Sequence, residues 1–340
     1  MQGKKKKILY GVLSLFLVAI LAVGCGKKTE NGAMAEQQSG GYKEPFVLKV
    51  QSPTTAWGPS PYMVGEELGF FAEEGIKFEY VGVVPQPQIP ASVVSGKLDV
   101  GQGHVNTTIS AIAAGAKIKA VVGITETTPK YPHMIYITLE NSPINSAQDL
   151  IGKKIGVPGK GGCHEYIPYV YMSRFGIDSP KGKVQFVNSP EPNLEQLLRQ
   201  GDVDVIGMHN QTDVILAHGG LKYVFGDWEA FDGSNGGATP AYFSEKFIKE
   251  HPDVVRRYVR AYIKTLKWIN ENLDKAIDIT AAKGNLKREF IRPTYFVSDG
   301  LIKEESVAPW IDIMTQFGEI KPGLKPEQIY TNEFNPNYKK

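Results

Sequence analysis

From residue 46 onward, hydrophobic positions recur in two alternating rhythms. Short runs carry apolar side chains at every second residue or in small blocks, as strands do. Longer runs space them three and four apart, as helices do. Residues 46–50 (Phe-Val-Leu-Lys-Val) read as a strand, and 61–73 as a helix with Tyr62, Val64, Leu68 and Phe71 on one side. A strand at 76–81, a helix at 88–95, a short strand at 98–102, a helix at 106–114 and a strand at 118–124 follow. The pattern then restarts with a strand at 133–139, a short helix at 146–150 opened by Ser146 with Asp149 three residues on, and a strand at 154–157. A helix at 163–175, a strand at 184–187, a helix at 193–199 and a strand at 203–207 complete this second series. Beyond Ser244 the rhythm is helical, and 252–270 places Val255, Tyr258, Val259, Tyr262, Ile263, Leu266 and Ile269 at helix spacing.

Strands alternating with helices predict an α/β protein with mainly parallel sheets covered on both faces. Ligands of such sheets sit beyond the carboxyl ends of the strands, where helix N-termini point their N–H groups inward. The two series also echo one another. Ser95-Gly96-Lys97-Leu98-Asp99-Val100 and Gln200-Gly201-Asp202-Val203-Asp204-Val205 each end a helix at Gly and place an Asp before a strand. On spacing alone, two ordinary helix-to-strand turns explain the echo equally well.

The segment before residue 46 reads differently. Lys4, Lys5, Lys6 and Lys7 precede an apolar stretch at 8–23 that closes in Leu21-Ala22-Val23-Gly24-Cys25. A basic start, a short apolar core and small residues before a cleavage point describe an export signal. The stretch is shorter than the roughly 20 residues that span hydrocarbon comfortably. Its end resembles a lipobox, with Ala22 where Leu is more usual, so residues 1–24 are expected to be removed and Cys25 lipidated. An uncleaved membrane anchor is the alternative, and both place the rest of the chain outside the cytoplasm. Residues 25–44 carry few large apolar side chains and predict a flexible tether.

Composition sharpens this in two respects. The chain has 2 Cys, and lipidation of Cys25 leaves Cys163 without a disulfide partner. The 38 Lys+Arg against 36 Asp+Glu give a formal +2; without the four signal lysines the balance is 34 against 36, or −2. Nothing in that balance suggests a nucleic-acid surface.

Four stretches match a known family in its order: EELGFFAEEGIKFEYV (66–81), VVSGKLDVGQGHVNTTISAIAAGAKIKAVVG (93–123), NSPINSAQDLIGKKIGVPGKGG (141–162) and HPDVVRRYVRAYIKTLKWI (251–269). The chain resembles the nitrate, sulfonate and taurine substrate-binding proteins of ABC importers, which are related to pyrimidine-precursor binding proteins. The resemblance implies the type II periplasmic-binding-protein fold: two lobes joined by a double crossover hinge. Residues 46–128 with 237–340 would form lobe 1 and 129–226 lobe 2, with crossings near 124–131 and 225–237. It further implies a monomer that closes about a small solute and delivers it to an ABC permease and ATPase complex, held to the membrane by the lipid on Cys25, at the cell surface or in the periplasm.

Strand-end geometry and the resemblance point to the same loops for the solute. Ser52, Thr54, Thr55 and Trp57 follow the first strand, supplying hydroxyls and one aromatic face; Gln86 lies between the second strand and the next helix. His104, Val105 and Asn106 open a helix, as do Gly161, Gly162, Cys163 and His164; His209 and Asn210 follow the last strand of the second series. Gly159-Lys160-Gly161 is not a phosphate-binding P-loop, because its spacing is wrong and no Ser or Thr follows. Relatives usually carry Ser or Thr near Gly162-Cys163-His164, and an aromatic and an acidic residue near Met208-His209-Asn210. These departures suggest a less common cargo than nitrate or a simple sulfonate: a small organic anion or heterocycle, such as a sulfonate, carboxylate or pyrimidine-like molecule.

Three of the 6 His therefore fall at crevice loops, with His133 near the hinge. A metal would need two or three of them to converge, which no local spacing such as His-x-x-x-His announces; no metal and no cofactor is assigned. Cys163 beside His164 invites a catalytic reading, but neighbours on a helix point about 100° apart, and no catalytic residue is assigned. A pyrimidine-synthase-like enzyme is the main rival, against which stand the missing Cys cluster and the export signal. A sensor that docks a receptor is the other.

Overall fold

The computed structural model describes residue 42 and residues 44–53, 58–159, 161–209 and 212–339. The signal, Cys25 and nearly all of the tether lie outside the described residues. Among the described residues no helix is long and apolar enough to cross a membrane.

Among the described residues, ten strands form three sheets. β1 (Phe46–Val50) pairs in parallel with β2 (Ile76–Tyr80). β3 (Val100–Gln102) and β4 (Ile118–Thr125) flank β10 (Thr239–Ser244), which is antiparallel to both. The third sheet has the order β7 (Gln185–Asn188), β6 (Lys154–Val157), β8 (Val205–Met208), β5 (Ile135–Leu139), β9 (Leu221–Gly226). There β6 runs parallel to β7 and β8, while β5 is antiparallel to β8 and β9.

The sheets are therefore mixed, where the sequence pattern predicts mainly parallel ones. The reason is topological. The chain leaves β4 and enters the third sheet as β5 with no helix between them, then leaves β9 and returns as β10 through the short helix Asp227–Phe231 and a 3₁₀ turn at Ser234–Gly237. The strands on which it arrives, β5 and β10, each run antiparallel to both of their neighbours. β9 and β10 themselves are absent from the predicted elements. The helix expected at 61–73 is two, Pro61–Glu67 and Phe70–Glu73, separated by Gly69 at φ 73°. The helix expected at 146–150 is a single 3₁₀ turn, Gln148–Leu150.

The sequence echo is structural. Gly96 and Gly201 both take left-handed backbone (φ 74° and 81°), which glycine adopts without a Cβ clash. Asp99 N–H donates to Lys49 O (2.8 Å), and the Asp99 carboxylate accepts from Lys49 N–H (2.7 Å). Asp204 does the same with Lys154, at 2.9 and 2.8 Å. Each Asp thus ties a strand to its neighbour, β3 to β1 and β8 to β6, closing two backbone groups at the strand entrance.

One apolar cluster packs helix Pro252–Glu271, through Tyr258, Tyr262 and Leu266, against Tyr62, Phe71, Phe78 and Leu48. A second is anchored by the fully buried Trp310, which helix Ala308–Gln316 places against Phe231 (ring centroids 4.8 Å apart), Tyr166 (6.2 Å) and His104 (4.7 Å). Packing of this density fixes rings as well as backbone.

The two passages between sheets are lashed together by one carboxylate. Fully buried Asp227, at the start of the return passage, accepts hydrogen bonds from the Thr127 hydroxyl and from Met134 N–H (3.0 Å) on the outward passage. Asp227 N–H in turn donates to Met134 O (3.1 Å). Asp227→Ala removes the acceptor from two buried donors and is expected to cost about 1–3 kcal/mol, read as a lower urea midpoint at unchanged m-value.

Candidate functional site

Register decides which loops meet. β5 and β8 are antiparallel with Ile135 opposite Met208, so residues 133–134 lie beside His209. β6 runs parallel to β8 with Gly156 opposite Ile206, which brings the loop after Val157 to the same sheet edge. Gln102 opposite Ala241 sets the helix start at Val105 beside Ala238, and Val105 N–H donates to Ala238 O (2.9 Å). Helices Val105–Ala113 and Cys163–Arg174 consequently both begin at one cleft, and the partial positive charge of their first turns faces it.

The cleft holds a cavity of about 990 Å³ and an adjoining one of about 360 Å³. Gln86, His133 and His209 line both, so the two chambers meet at these residues. The larger has an apolar wall of Pro87, Pro90, Ala91, Val94, Ala111 and Ala114 and a polar floor of His104, Cys163, His164 and His209. The smaller is bounded by Arg292, Glu126, Gln51, Gln102 and Tyr131. Across the cleft, the Asn106 amide donates to Gly161 O (3.4 Å).

The floor is a cluster of soft donors. Cys163 Sγ lies 3.3 Å from His209 Nε2 and 3.7 Å from His133 Nε2. His164 Nε2 donates to Gly159 O (2.6 Å). His104 commits both nitrogens within the protein, Nδ1 to Asn106 (2.9 Å) and Nε2 to Gly236 O (2.7 Å). Glu191 accepts from His209 N–H, and its Oε1 lies 4.0 Å from His209 Nδ1. Arg292 donates to His209 O (2.8 Å) and His133 O (3.2 Å), bracing the backbone on both sides of the cluster.

Burial governs the protonation of the whole floor. It lowers His104 and His164 to about 4 and holds His133 and His209 well below the usual imidazole range, neighbouring imidazoles adding to the effect. Burial pushes the Cys163 thiol up, the Asp227 carboxylate adding to it, and raises Asp227 itself to about 6. Burial also lowers the Arg292 guanidinium, opposed by Asp213, Asp227 and Glu191. At neutral pH the floor, together with His133 beside it, presents four neutral imidazoles around a neutral thiol.

Of the residues singled out from sequence, Gln86, His104, Asn106, Gly161, Gly162, Cys163, His164 and His209 line the larger cavity. Two do not belong to the lining. Val105 is buried in the core beneath its helix start, because the first residue of that helix turns its side chain toward Ile109 and the sheet. Ser52 donates its N–H to Gly82 O (2.9 Å), continuing the β1–β2 ladder, while its neighbours Gln51 and Pro53 reach the smaller cavity. Thr54, Thr55, Trp57, Asn210 and Lys160 lie outside the described residues.

Sequence reasoning overlooked Arg292 and Glu191 and left His133 at the hinge. Glu191 stands in the first turn of helix Glu191–Gln200, two residues before the start that periodicity predicts. Arg292-Pro293 sits in an aperiodic stretch after the last helices of the pattern. A guanidinium in a polar loop is the signal there, but nothing in the sequence says which face that loop reaches.

The sequence profile described as NMT1/THI5 like matches residues 59–276, more than half of the chain and spanning most of the cleft. The chain belongs to the NMT1/THI5-like family. Within its wider circle, the putative aliphatic sulfonates-binding protein of Bacillus subtilis is 26% identical over 309 residues, covering 87% of each chain. The 4-amino-5-hydroxymethyl-2-methylpyrimidine phosphate synthase of Legionella pneumophila is 26% identical over 298 residues, 83% of this chain and 90% of that one. Among solved structures, the periplasmic aliphatic sulphonate binding protein SsuA of Escherichia coli superposes with a TM-score of 0.67 at 18% identity, covering 86% of this chain and 99% of that one. The fold of this NMT1/THI5-like protein is that of the periplasmic binding proteins.

Gly162 controls one imidazole. A Cβ there would lie 2.3 Å from His164 Cε1, while its φ of −95° suits any residue. Gly162→Ala is therefore expected to displace the ring without backbone strain, at about 1–3 kcal/mol. The His164 ring resonances in an imidazole-detected NMR spectrum should shift, and those of His218, on a remote surface, should not.

Proposed function

We propose that the protein is the extracytoplasmic solute-binding component of an ABC importer and that it captures a small organic anion or heterocycle by hinge closure. The observation that carries this reading is the cavity of about 990 Å³, walled by residues from both sheet systems. In this reading residues 46–128 with 237–340 are one lobe and 129–226 the other, with the hinge at the crossings near 124–131 and 225–237. Asn106 and Gly161 approach across the opening. Sulfonate-binding relatives of the same fold support the solute class. Arg292 and the two helix starts offer a place for an anionic group, and the Pro and Ala wall takes an apolar body. The lipid expected on Cys25 tethers the protein beside its permease once the export signal is removed.

The test is thermal stabilisation by a panel of alkyl and aryl sulfonates, carboxylates and pyrimidines, with X-ray scattering on each hit. One member is expected to bind one to one and reduce the radius of gyration. Arg292→Gln should weaken an anionic hit about tenfold or more, the scale of one charge-assisted hydrogen bond. A panel that neither stabilises nor compacts the protein would remove the importer reading.

A second reading has one geometric observation in its favour. Cys163, at the first position of a 12-residue helix, faces His209 Nε2 at 3.3 Å with Glu191 behind His209, and one relative is named as a pyrimidine phosphate synthase. Against it, burial keeps the Cys163 thiol protonated, which a nucleophile cannot be. Incubation with candidate pyrimidine precursors, followed by mass spectrometry of protein and products, separates the two.

A further inference from the structure

Cys163 stands at the apex of two donor sets that share its sulfur. With His164 and His209 it forms a buried group whose ligand atoms all lie within 4.8 Å of one another, and with His104 and His133 a second. The two sets are not equivalent. His104 already spends both nitrogens on Asn106 and Gly236, whereas His164 and His209 are arranged as metal-bound imidazoles are.

In such sites the nitrogen away from the ion is held by a carbonyl or carboxylate, which fixes the tautomer and aims the ring. His164 Nε2 donates to Gly159 O at 2.6 Å, and a carbonyl only accepts, so the lone pair of the neutral ring is on Nδ1. His209 turns Nδ1 toward Glu191, which also grips its backbone N–H, and points Nε2 at the Cys163 sulfur. One carboxylate thereby holds the main chain of His209 and stands 4.0 Å from Nδ1 of its ring.

The spacing also fits. Bond lengths of about 2.3 Å to sulfur and 2.0–2.1 Å to nitrogen in a tetrahedron set sulfur–nitrogen edges of about 3.5 Å. The two short edges here are 3.3 Å, to His209, and 3.7 Å, to His133. All of these residues line the larger cavity, so an ion has a route to them. Thiol and imidazole donors favour zinc-class ions over magnesium or calcium, which prefer oxygen.

We propose that Cys163, His164 and His209, with His133 as fourth ligand, form a site for a zinc-class divalent ion at the floor of the cleft. Binding makes a metal–sulfur bond and breaks the S–H bond, and the thiol proton leaves to solvent; the imidazoles enter neutral. Glu191 is a positioning residue that acts through His209. The site rests on the donor cluster and not on the identity of a transported solute, so an empty solute panel and an empty metal site are separate results.

The test uses the full chain, reduced, stripped with EDTA and titrated with Co²⁺ as the probe. One ion per chain is expected, with a thiolate-to-cobalt charge-transfer band that Cys163→Ser abolishes. Glu191→Gln should keep the band and weaken Zn²⁺, measured by competition with a chromophoric chelator, by about tenfold or more. In the unsubstituted chain Zn²⁺ should protect Cys163 from iodoacetamide, scored on its own peptide by mass, and this arm does not depend on any variant folding. A saturated Co²⁺ complex without the band, or alkylation of Cys163 at the same rate with and without Zn²⁺, overturns the proposal.

Discussion

The arrangement of the cleft depends on a single buried carboxylate. Asp227 holds the outward and return passages in one register by accepting from Thr127 and Met134 while its own N–H reaches Met134 O. A buried carboxylate is costly unless its lone pairs are matched, and here raising its pKa to about 6 is the visible trace of that cost. The return is positional. Met134 precedes β5, and β5 in register with β8 sets His133 next to His209. Were the passages to slip by one residue, alternation along β5 would exchange its buried and outward faces, and the two imidazoles would no longer face one sulfur.

The same passages explain the mixed sheets. The chain crosses between two sheet systems twice, and the strands on which it arrives, β5 and β10, run antiparallel to both of their neighbours. The reversed strand lies between parallel neighbours in both sheets, β5 between β8 and β9 and β10 between β3 and β4. The ends of β3, β6 and β8 then open on the same space from two sides. Helix starts after β3 and β6 deliver His104 and Cys163 there, and Trp310 fixes His104 from beneath.

Much of this was legible in the sequence because it is local. The strand and helix rhythms gave eight of the ten strands, and the paired Gly and Asp positions proved to be matching strand hooks at Asp99 and Asp204. The loops that carry His104, Cys163 and His209 were also legible, since each follows a strand. What escaped was set by distance. β9 and β10 fall in a stretch of short helical segments whose periodicity is too brief to frame them, and Pro240 inside β10 reads as a breaker until the ladder around it is known. Val105 was placed in the site because a helix start was, but neighbouring residues at a helix start face different ways. Arg292 reaches the cleft through backbone carbonyls of two loops more than 80 residues away in sequence. No spacing rule encodes that, and none encodes the meeting of His133, Cys163 and His209.

The electrostatics of the cleft tie its two chambers together. Neutral imidazoles, a neutral thiol and two helix starts offer an anion hydrogen bonds and partial charge but no full charge, and Arg292 already feels Asp213, Asp227 and Glu191. A bare inorganic ion entering this space would lose its hydration for one partly offset cation, which is a poor exchange in a low dielectric. An organic solute is different, because the Pro and Ala wall returns free energy in proportion to the apolar area covered, about 25 cal/mol per Å². A divalent ion on the floor would change the sign of the balance: two positive charges against one thiolate leave a net positive centre beside the apolar wall. The chamber would then favour a solute carrying a carboxylate or sulfonate on an apolar body, with its charged end toward Cys163. The departures at Gly162-Cys163-His164 and at His209 thus act on the same property, the charge that the floor presents to whatever the wall retains.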